Sequence, residues 1–468
     1  MSTEKISSVI FRFCQFTVAV FLLIVSCQRV ESPQVHTEPA PQPLISEVEH
    51  PAWSYSLSIY EVNLRQYSPE GTFQGFEEHL PRLREMGVGI LWFMPIHPIG
   101  EEKRKGSLGS YYSVRDYYDV NPEFGTLEEF KSLVGKIHQM GMYVIIDWVA
   151  NHTAWDNPLT VEHPDWYMRD SRGDFFPPVP DWSDVIDLNY NNQALWDYMI
   201  AAMKFWVEEA DVDGFRCDVA GMVPEEFWNR ARLELEAIKP VFMLAEAEGP
   251  SYHRKAFDMT YGWELYHLMN RIAEGNKDAD DISRYLDLEE HRFPRDAYRM
   301  YFTSNHDENS WNGTVYERLG AAAEVFAVLA ATLEGMPLVY SGQEAGLDHR
   351  LEFFEKDLIE WKDHRFTELY AKLLNLKQTN EALWNGQRGG PLVRVQTSAD
   401  DGVFAFVREK EADKVFVVLN LSPYEKNISL EGDSFVGEYT DVFANEKTTF
   451  TQGAEITLRP WYYRVFAR

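Results

Sequence analysis

The sequence is poor in cysteine and in positive charge. It has three cysteines among 468 residues, and two of them, Cys14 and Cys27, lie in the N-terminal segment. Cys217 would therefore stand alone, and no disulfide framework is available. The 44 Lys and Arg residues are outnumbered by 74 Asp and Glu residues, for a formal net charge of −30. A chain this acidic lacks a general basic surface, which excludes nucleic acid as the default partner.

Long apolar runs are also scarce, and only residues 13–25 form one. Lys5 and Arg12 precede this run, which is about half as long as a membrane-spanning helix, so we predict a signal peptide over residues 1–27. Its end, Ile24-Val25-Ser26-Cys27, resembles a bacterial lipobox. We therefore expect that the protein is exported and that Cys27 is lipidated. The lipid anchor would be its only contact with the bacterial membrane, on the periplasmic side or at the cell surface. An ordinary secretory signal with an incidental cysteine is the alternative.

The rest of the sequence is typical of a large folded enzyme behind a short linker. Residues 28–52 are polar and rich in proline, which favours a flexible tether, and folded sequence is expected from Trp53. Hydrophobic residues make up 45% and aromatic residues 14% of the chain, which excludes global disorder.

From Trp53 onward, short β-branched and aromatic runs alternate with helical patterns, which indicates repeated βα units and a parallel sheet. Strands are predicted at residues 57–63, 88–94, 143–147, 214–218, 241–246, 298–304 and 338–341, with a weaker one at 256–259. Helices are predicted at 76–86, 127–140, 193–209 and 224–238. Eight strands favour a closed (β/α)8 TIM barrel over residues 53–384. Residues 150–192 read as a short insertion after strand 3, and the alternating pattern of 385–468 predicts a C-terminal antiparallel β-sandwich domain.

Functional side chains of such barrels lie at the C-terminal ends of the strands, and four predicted strands end in polar residues. Asp147 to His152 follow the third strand, and Arg216 and Asp218 end the fourth. Glu246 ends the fifth, and Asn305-His306-Asp307 follows the seventh. A single carboxylate at a strand end is usually a helix cap or an ion-pair partner. Three of them in this register, at Asp218, Glu246 and Asp307, point to one shared site.

These four segments, in this order and spacing, resemble the conserved regions of glycoside hydrolase family 13, the α-amylase family. Residues 109–118, 120–126 and 337–344 match it too, so the resemblance runs from about Trp53 to the end of the chain. It implies that Asp218 is the nucleophile and Glu246 the general acid and base, with retention of anomeric configuration. Asp307 is matched to the third carboxylate, which binds sugar hydroxyls. Arg216, two residues before Asp218 on one face of the strand, is expected to keep the nucleophile ionised and oriented.

The resemblance also implies residues that bind the cleaved sugar. His152 and His306 are expected to be neutral hydrogen-bond donors, although a buried structural histidine is the other interpretation. Tyr112 is matched to the aromatic platform on which the same sugar stacks. Trp148, Trp155 and Trp311 are possible subsite residues, and Asp147 and Asp116 are expected to be internal supports.

No cofactor is required for the chemistry, but some relatives hold a structural calcium ion between barrel and insertion. Asn151 and Asp187 match two of its ligands, and hard oxygen donors suit that ion. The Lys-His pair that family members carry after the nucleophile is here Gly221-Met222. In typical α-amylases these two side chains contact the leaving-group side of the site, so a different mode of leaving-group binding is expected here. The same departure removes one family feature that accompanies calcium binding.

The expected partner is an α-glucan, and the expected activity is hydrolysis of α-1,4-glucosidic bonds in starch, glycogen or maltooligosaccharides. Asp218-Val219-Ala220 resembles the corresponding segment of neopullulanase-like members, so an α-1,6-acting or neopullulanase-like hydrolase or a glucanotransferase of the same family is the alternative. Some relatives are glucan-binding proteins that have lost their carboxylates, but this chain keeps all three. The sequence sets no oligomeric state.

Overall fold

A computed structural model describes residues 45–468, all within one compact unit. The predicted signal peptide, Cys27 and most of the predicted tether lie outside these residues. The end of the tether is not free, since Ser46 donates a hydrogen bond to the carbonyl of His253. His50 is buried, and its imidazole lies 2.8 Å from Asp258 Oδ1. Folded structure therefore begins before the predicted start at Trp53.

The expected barrel is present. Up to residue 340, the strands are β1 (Ile59–Val62), β2 (Ile90–Phe93), β3 (Tyr143–Trp148), β4 (His152–Ala154), β5 (Val185–Asp187), β6 (Gly214–Cys217), β7 (Phe242–Ala245), β8 (Met259–Tyr261), β9 (Tyr298–Tyr301) and β10 (Met336–Tyr340). Eight of them close in the order β1-β10-β9-β8-β7-β6-β3-β2, with parallel pairing throughout. The weakest predicted strand, residues 256–259, is displaced toward the C-terminus and appears as β8.

The helices wrap the outside of the barrel. They are α1 (Leu64–Tyr67), α2 (Phe73–Glu77), α3 (Leu80–Met86), α4 (Leu127–Gln139), α5 (Leu159–Glu162), α6 (Gln193–Glu209), α7 (Glu225–Glu236), α8 (Trp263–Ala273), α9 (Ala279–Arg292), α10 (Val315–Leu319), α11 (Ala323–Thr332) and α12 (Arg365–Thr379). The prediction of one helix over residues 76–86 is wrong. Pro81 has no N–H to continue α2, and it lies instead in the first turn of α3, where no such donor is needed.

The insertion after the third barrel strand and the C-terminal domain have the expected character. In the insertion, β4 and β5 form an antiparallel pair in which His152 is opposite Asp187. The C-terminal strands are β11 (Leu392–Val395), β12 (Val403–Lys410), β13 (Asp413–Asn420), β14 (Lys426–Ser429), β15 (Gly437–Asp441), β16 (Lys447–Phe450), β17 (Glu455–Leu458) and β18 (Tyr463–Ala467). They form an antiparallel sheet in the order β11-β12-β13-β18-β15-β16 and a β14-β17 pair, with an apolar core of their own.

Apolar side chains such as Ile59, Trp92 and Phe242 pack together inside the barrel, so its interior is a core and not a channel. Any site must therefore lie at an end of the barrel. Within residues 45–468, no helix combines the length and the apolar character needed to cross a bilayer.

Candidate active site

The strand register brings the predicted catalytic residues together at the C-terminal end of the barrel. Cys217 on β6 pairs with Ala245 on β7, and the next residues along these two strands are Asp218 and Glu246. Their backbones continue the ladder, since the Glu246 N–H donates to the Cys217 carbonyl at 3.0 Å. The two carboxylates consequently leave neighbouring strands at the same level.

Arg216 joins these carboxylates from below. Its side chain is fully buried, and Nη1 donates to Asp218 Oδ1 and to Asp147 Oδ1, at 2.9 Å in each case. Nη2 lies 2.9 Å from Glu246 Oε1, but that N–H is not aligned with the oxygen. Because the aligned hydrogen bond goes to Asp218, Arg216 favours the ionised form of Asp218 more strongly than that of Glu246.

Burial, together with the charges of Asp218 and Asp307, raises the pKa of Glu246 to about 7, although Arg216 lowers it. A carboxyl group with this pKa can hold a proton near neutral pH and give it to a leaving group. Burial also raises the pKa of Asp218, and Arg216 opposes that shift. The backbone N–H of Val219 donates to Glu246 Oε2 at 2.7 Å and fixes the direction of this side chain.

Asp147 is the internal support that the sequence suggested. It is fully buried and accepts hydrogen bonds from Arg216, from Trp92 Nε1 at 3.2 Å and from the Tyr112 hydroxyl at 3.1 Å. Tyr261 takes the remaining side of the guanidinium, with its hydroxyl 3.1 Å from Arg216 Nε. The nucleophile therefore rests on a closed polar network.

Asp307 and His306 lie in the loop after β9, next to a π-helical turn at Glu308–Asn312. Asp307 is more open than the other two carboxylates, with 36% of its side chain exposed, and its Oδ2 lies 3.3 Å from His306 Nε2. The same Nε2 lies 2.8 Å from the Tyr112 hydroxyl. The charge of Asp307 acts on both Asp218 and Glu246, so the third carboxylate lies near the other two.

The prediction that both histidines are neutral is wrong for His306. Burial lowers the pKa of His306, but the carboxylates of Asp307 and Glu61 outweigh this and raise it to about 9. His306 is therefore a cation at neutral pH. For His152, burial lowers the pKa to about 4, so this side chain is neutral near pH 7. Its Nε2 lies 3.9 Å from Asp218 Oδ2, at the edge of the site.

Sequence reasoning missed Glu61, Phe353 and the role of Tyr261. Glu61 is fully buried on β1, and its Oε1 lies 2.5 Å from His306 Nδ1. The available signal was the one charged residue of the predicted strand 57–63, because a buried charge is costly unless it is paired. Phe353 belongs to a loop of irregular sequence, and its stacking on Tyr112 had no signal of its own.

The two residues matched to calcium ligands are neighbours. The Leu188 N–H donates to the Asn151 carbonyl at 3.1 Å, directly beside Asp187. Asp187 is half-buried and makes no ion pair within the described part of the chain, and burial raises its pKa to about 6. Among residues 45–468 no cluster of three or more His, Cys, Asp or Glu suits a metal ion. Asn151 and Asp187 thus fit a hard cation only as part of a shell completed by carbonyl or water oxygens.

Comparisons with known proteins agree with this geometry. The family model for the α-amylase catalytic domain matches residues 53–176 and 157–382, and that for the SusG C-terminal domain of α-amylases matches residues 403–462. The chain belongs to the α-amylase family. The family model and the amylase relatives identify the chain as a glycosidase, and the strand-end residues described above all lie within the matched residues 53–382.

Solved relatives resemble the chain over most of its length. The noncanonic maltogenic α-amylase AmyB from Thermotoga neapolitana is 32% identical, with a TM-score of 0.80, over 88% of this chain and 98% of AmyB. An α-amylase from Lactobacillus plantarum is 30% identical, with a TM-score of 0.78, over 89% of this chain and 99% of that protein. By sequence, the α-amylase MalA from Haloarcula japonica is 27% identical, in an alignment that covers 86% of this chain but only 61% of MalA.

Proposed function

We propose that the protein is a retaining glycoside hydrolase that cleaves α-1,4-glucosidic bonds in starch, glycogen or maltooligosaccharides. The observation that carries this proposal is the single guanidinium of Arg216 between Asp218 and Glu246, 2.9 Å from an oxygen of each. Two carboxylates on one guanidinium are close neighbours, as a retaining enzyme requires with a separation of roughly 5–5.5 Å. An inverting enzyme keeps them farther apart, with room for a water molecule.

In the first step, an oxygen of Asp218 forms a bond to the anomeric carbon while the bond from that carbon to the glycosidic oxygen breaks. Glu246 transfers its proton to the departing oxygen. The contact of Arg216 with Glu246 is not an aligned hydrogen bond, so Glu246 can hold that proton, whereas the aligned hydrogen bond to Asp218 stabilises its anionic form against the effect of burial.

In the second step, a water molecule attacks the anomeric carbon of the glycosyl ester at Asp218. The Glu246 carboxylate takes the proton of the water, and the bond to Asp218 breaks. Asp307 and the His306 cation lie 3.3 Å apart beside the same centre. They present an acceptor and a charged donor to the hydroxyl groups of the sugar as positive charge develops on its ring.

Cleavage of α-1,6 bonds or transfer to a sugar acceptor is the second candidate. Gly221 and Met222 occupy the positions after the nucleophile, and Met222 is 47% exposed. A Cβ placed on Gly221 would make only ordinary contacts, the nearest at 3.6 Å to the Tyr252 hydroxyl, so a side chain could stand there without a clash. Relatives at 24–26% identity include a cyclomaltodextrinase from Bacillus and an α-1,4-glucan:maltose-1-phosphate maltosyltransferase from Rhodospirillum rubrum.

Incubation with soluble starch, maltoheptaose, pullulan and sucrose, followed by chromatography of the products, tests the proposal. Short maltooligosaccharides from starch and maltoheptaose, first released as the α-anomer, are expected. Maltotriose from pullulan, which marks α-1,6 cleavage, or products longer than maltoheptaose, which mark transfer, would favour the second candidate. If no substrate releases sugar, and if Asp218→Asn and the unmodified protein bind maltoheptaose equally well, the chain is a glucan-binding protein.

We also propose a structural calcium ion held by Asn151 and Asp187, which would join the insertion to the barrel. The ion takes no part in the chemistry. Calcium is then expected to raise the melting temperature of the unmodified protein, and EDTA to reverse the rise. The Asp187→Asn variant should not respond. An equal response of both proteins would place any calcium elsewhere.

We further propose that the chain is exported and anchored through lipidated Cys27, as residues 5–27 of the sequence suggest. Expression of the full chain in a bacterium supplied with a clickable palmitate analogue tests this. Label is expected on the unmodified chain and should be lost in Cys27→Ser. Unlabelled exported protein would favour the ordinary secretory signal.

A further inference from the structure

Three aromatic rings lead from the catalytic centre to the surface of the protein. Tyr112, beside His306, stacks on Phe353 with ring centroids 6.2 Å apart and planes inclined by 17°. Phe353 in turn lies 5.2 Å from Trp311, with planes inclined by 38°. We call these three residues the aromatic ladder. Its inner end is the ring that the family resemblance assigns to the cleaved sugar.

Exposure rises along the aromatic ladder. Tyr112 is 9% exposed, Phe353 is partly buried, and Trp311 is 52% exposed. Isolated exposed apolar residues are ordinary on protein surfaces. Trp311 differs because its ring continues a stacked series that starts in the active site, and because no described residue accepts a hydrogen bond from its indole N–H.

The loops that carry the outer rings are held before any ligand arrives. Asn309 Oδ1 accepts a hydrogen bond from the Leu351 N–H at 2.9 Å, and the Ser310 hydroxyl donates to the Leu351 carbonyl at 2.8 Å. These contacts tie the turn of Trp311 to the loop of Phe353. The stacked arrangement is therefore built into the fold, which lowers the entropy lost when a ligand binds.

The chemistry of the aromatic ladder suits a sugar. The C–H faces of a pyranose are apolar and pack on aromatic rings, while its hydroxyl groups need polar partners at the ring edge. The tryptophan edge supplies an N–H donor. Trp311 lies in the turn directly after Asp307, and Tyr112 contacts His306, so the outer rings of the aromatic ladder lie on the Asp307 side of the catalytic centre.

We propose that Phe353 and Trp311 form a further glucosyl-binding subsite, which holds a sugar unit of the substrate beyond the one bound at Tyr112. This inference rests on the proposed glucan-hydrolysing function. It predicts a preference for substrates long enough to reach Trp311, because only they gain the additional stacking contact.

Kinetics of the Trp311→Ala variant on maltoheptaose and on maltotriose test this subsite. KM for maltoheptaose is expected to rise about tenfold, which is near the upper value of an aromatic stacking contact, and kcat should change much less. The loss should be several-fold smaller for maltotriose. Trp311→Phe, which keeps an aromatic face, should restore most of the affinity. Tyr424→Ala is the matched control, because Tyr424 is 70% exposed and lies in the C-terminal domain.

Equal losses on both substrates, an unchanged KM for maltoheptaose or an equal effect of Tyr424→Ala would overturn the subsite. Calorimetric binding of maltoheptaose to Asp218→Asn, with and without Trp311→Ala, separates this inference from the proposed activity. If the unmodified protein hydrolyses no α-glucan, the proposed function fails, while weaker binding in the double variant still supports the subsite. Equal binding by the two variants contradicts the subsite whatever the activity.

Discussion

Glu61 lies directly behind His306, with its Oε1 2.5 Å from His306 Nδ1. The opposite ring nitrogen, Nε2, faces Asp307 and the Tyr112 hydroxyl. Both side chains are buried, so the attraction between carboxylate and imidazolium is poorly screened. A residue on β1, which only β10 separates from β9, thereby sets the charge of a residue in the sugar-binding site.

Replacement of Glu61 by Gln should keep the shape of this contact but remove its charge. The pKa of His306 is then expected to fall by about 1–3 units, because a carboxylate at hydrogen-bond distance contributes a shift of that size. NMR titration of 15N-labelled histidine measures it. The loss of kcat/KM should deepen as pH rises through the neutral range, where His306 of the variant loses its proton. An unchanged pKa of His306 would show that Glu61 has only a structural role.

The Asp218→Asn variant should lose turnover by about 10⁴-fold or more while it still folds and binds glucan. At high pH, Asp218→Asn should also be more stable to unfolding than the unmodified protein. The pKa of Asp218 is raised in the folded state, so its carboxyl group favours folding at low pH, and this contribution is lost as pH rises through that pKa.

Calorimetry at pH 5 and pH 8 measures this effect. The melting temperature of Asp218→Asn relative to the unmodified protein should rise between these two pH values, by about 1 °C for each kcal/mol in a folded chain of this size. Asp433→Asn, at an exposed position, is the control and should show no such difference. If the melting temperature of Asp218→Asn relative to the unmodified protein falls as pH rises, the pKa of Asp218 is not raised in the folded state.

Activity should fall as pH rises through about 7, because Glu246 must carry a proton to protonate the leaving oxygen and its pKa is raised to about 7. The Glu246→Gln variant should lose this alkaline limb. It should also keep far more activity on a glycosyl fluoride than on maltoheptaose, since fluoride departs without a general acid. The pH profile of kcat/KM on both substrates is the measurement, and an alkaline limb that persists in Glu246→Gln would move the acid role to another residue.

Arg216→Lys should lower kcat by about 100-fold or more, although the charge is kept. One ammonium group cannot hold Asp147 and Asp218 through aligned hydrogen bonds and also lie beside Glu246. Arg84→Lys, at an exposed position on α3, should be neutral. Steady-state kinetics that showed only a change in KM would assign Arg216 to substrate binding and not to the support of the nucleophile.

The sequence was sufficient for the barrel and for its three carboxylates, because strand-end position and family pattern identify Asp218, Glu246 and Asp307 independently of packing. It was not sufficient for the contacts that tune them. The charge of His306 depends on Glu61, which is 245 residues away in the chain, and no local pattern reports such a pair. The break between α2 and α3 could have been predicted, because Pro81 cannot continue a helix that begins before it. The stacking of Phe353 on Tyr112 depends on loop conformation, which periodicity does not describe.

The most direct test of the account is mass spectrometry of the Glu246→Gln variant after reaction with α-maltosyl fluoride. The good leaving group allows the first step, and the missing base slows the second, so a glycosyl-enzyme should accumulate. A maltosyl adduct on the peptide that contains Asp218, absent when Asp218→Asn is added, is the predicted result. Consumption of the fluoride with no adduct, or with an adduct on a different residue, would contradict the assignment of Asp218 as the nucleophile.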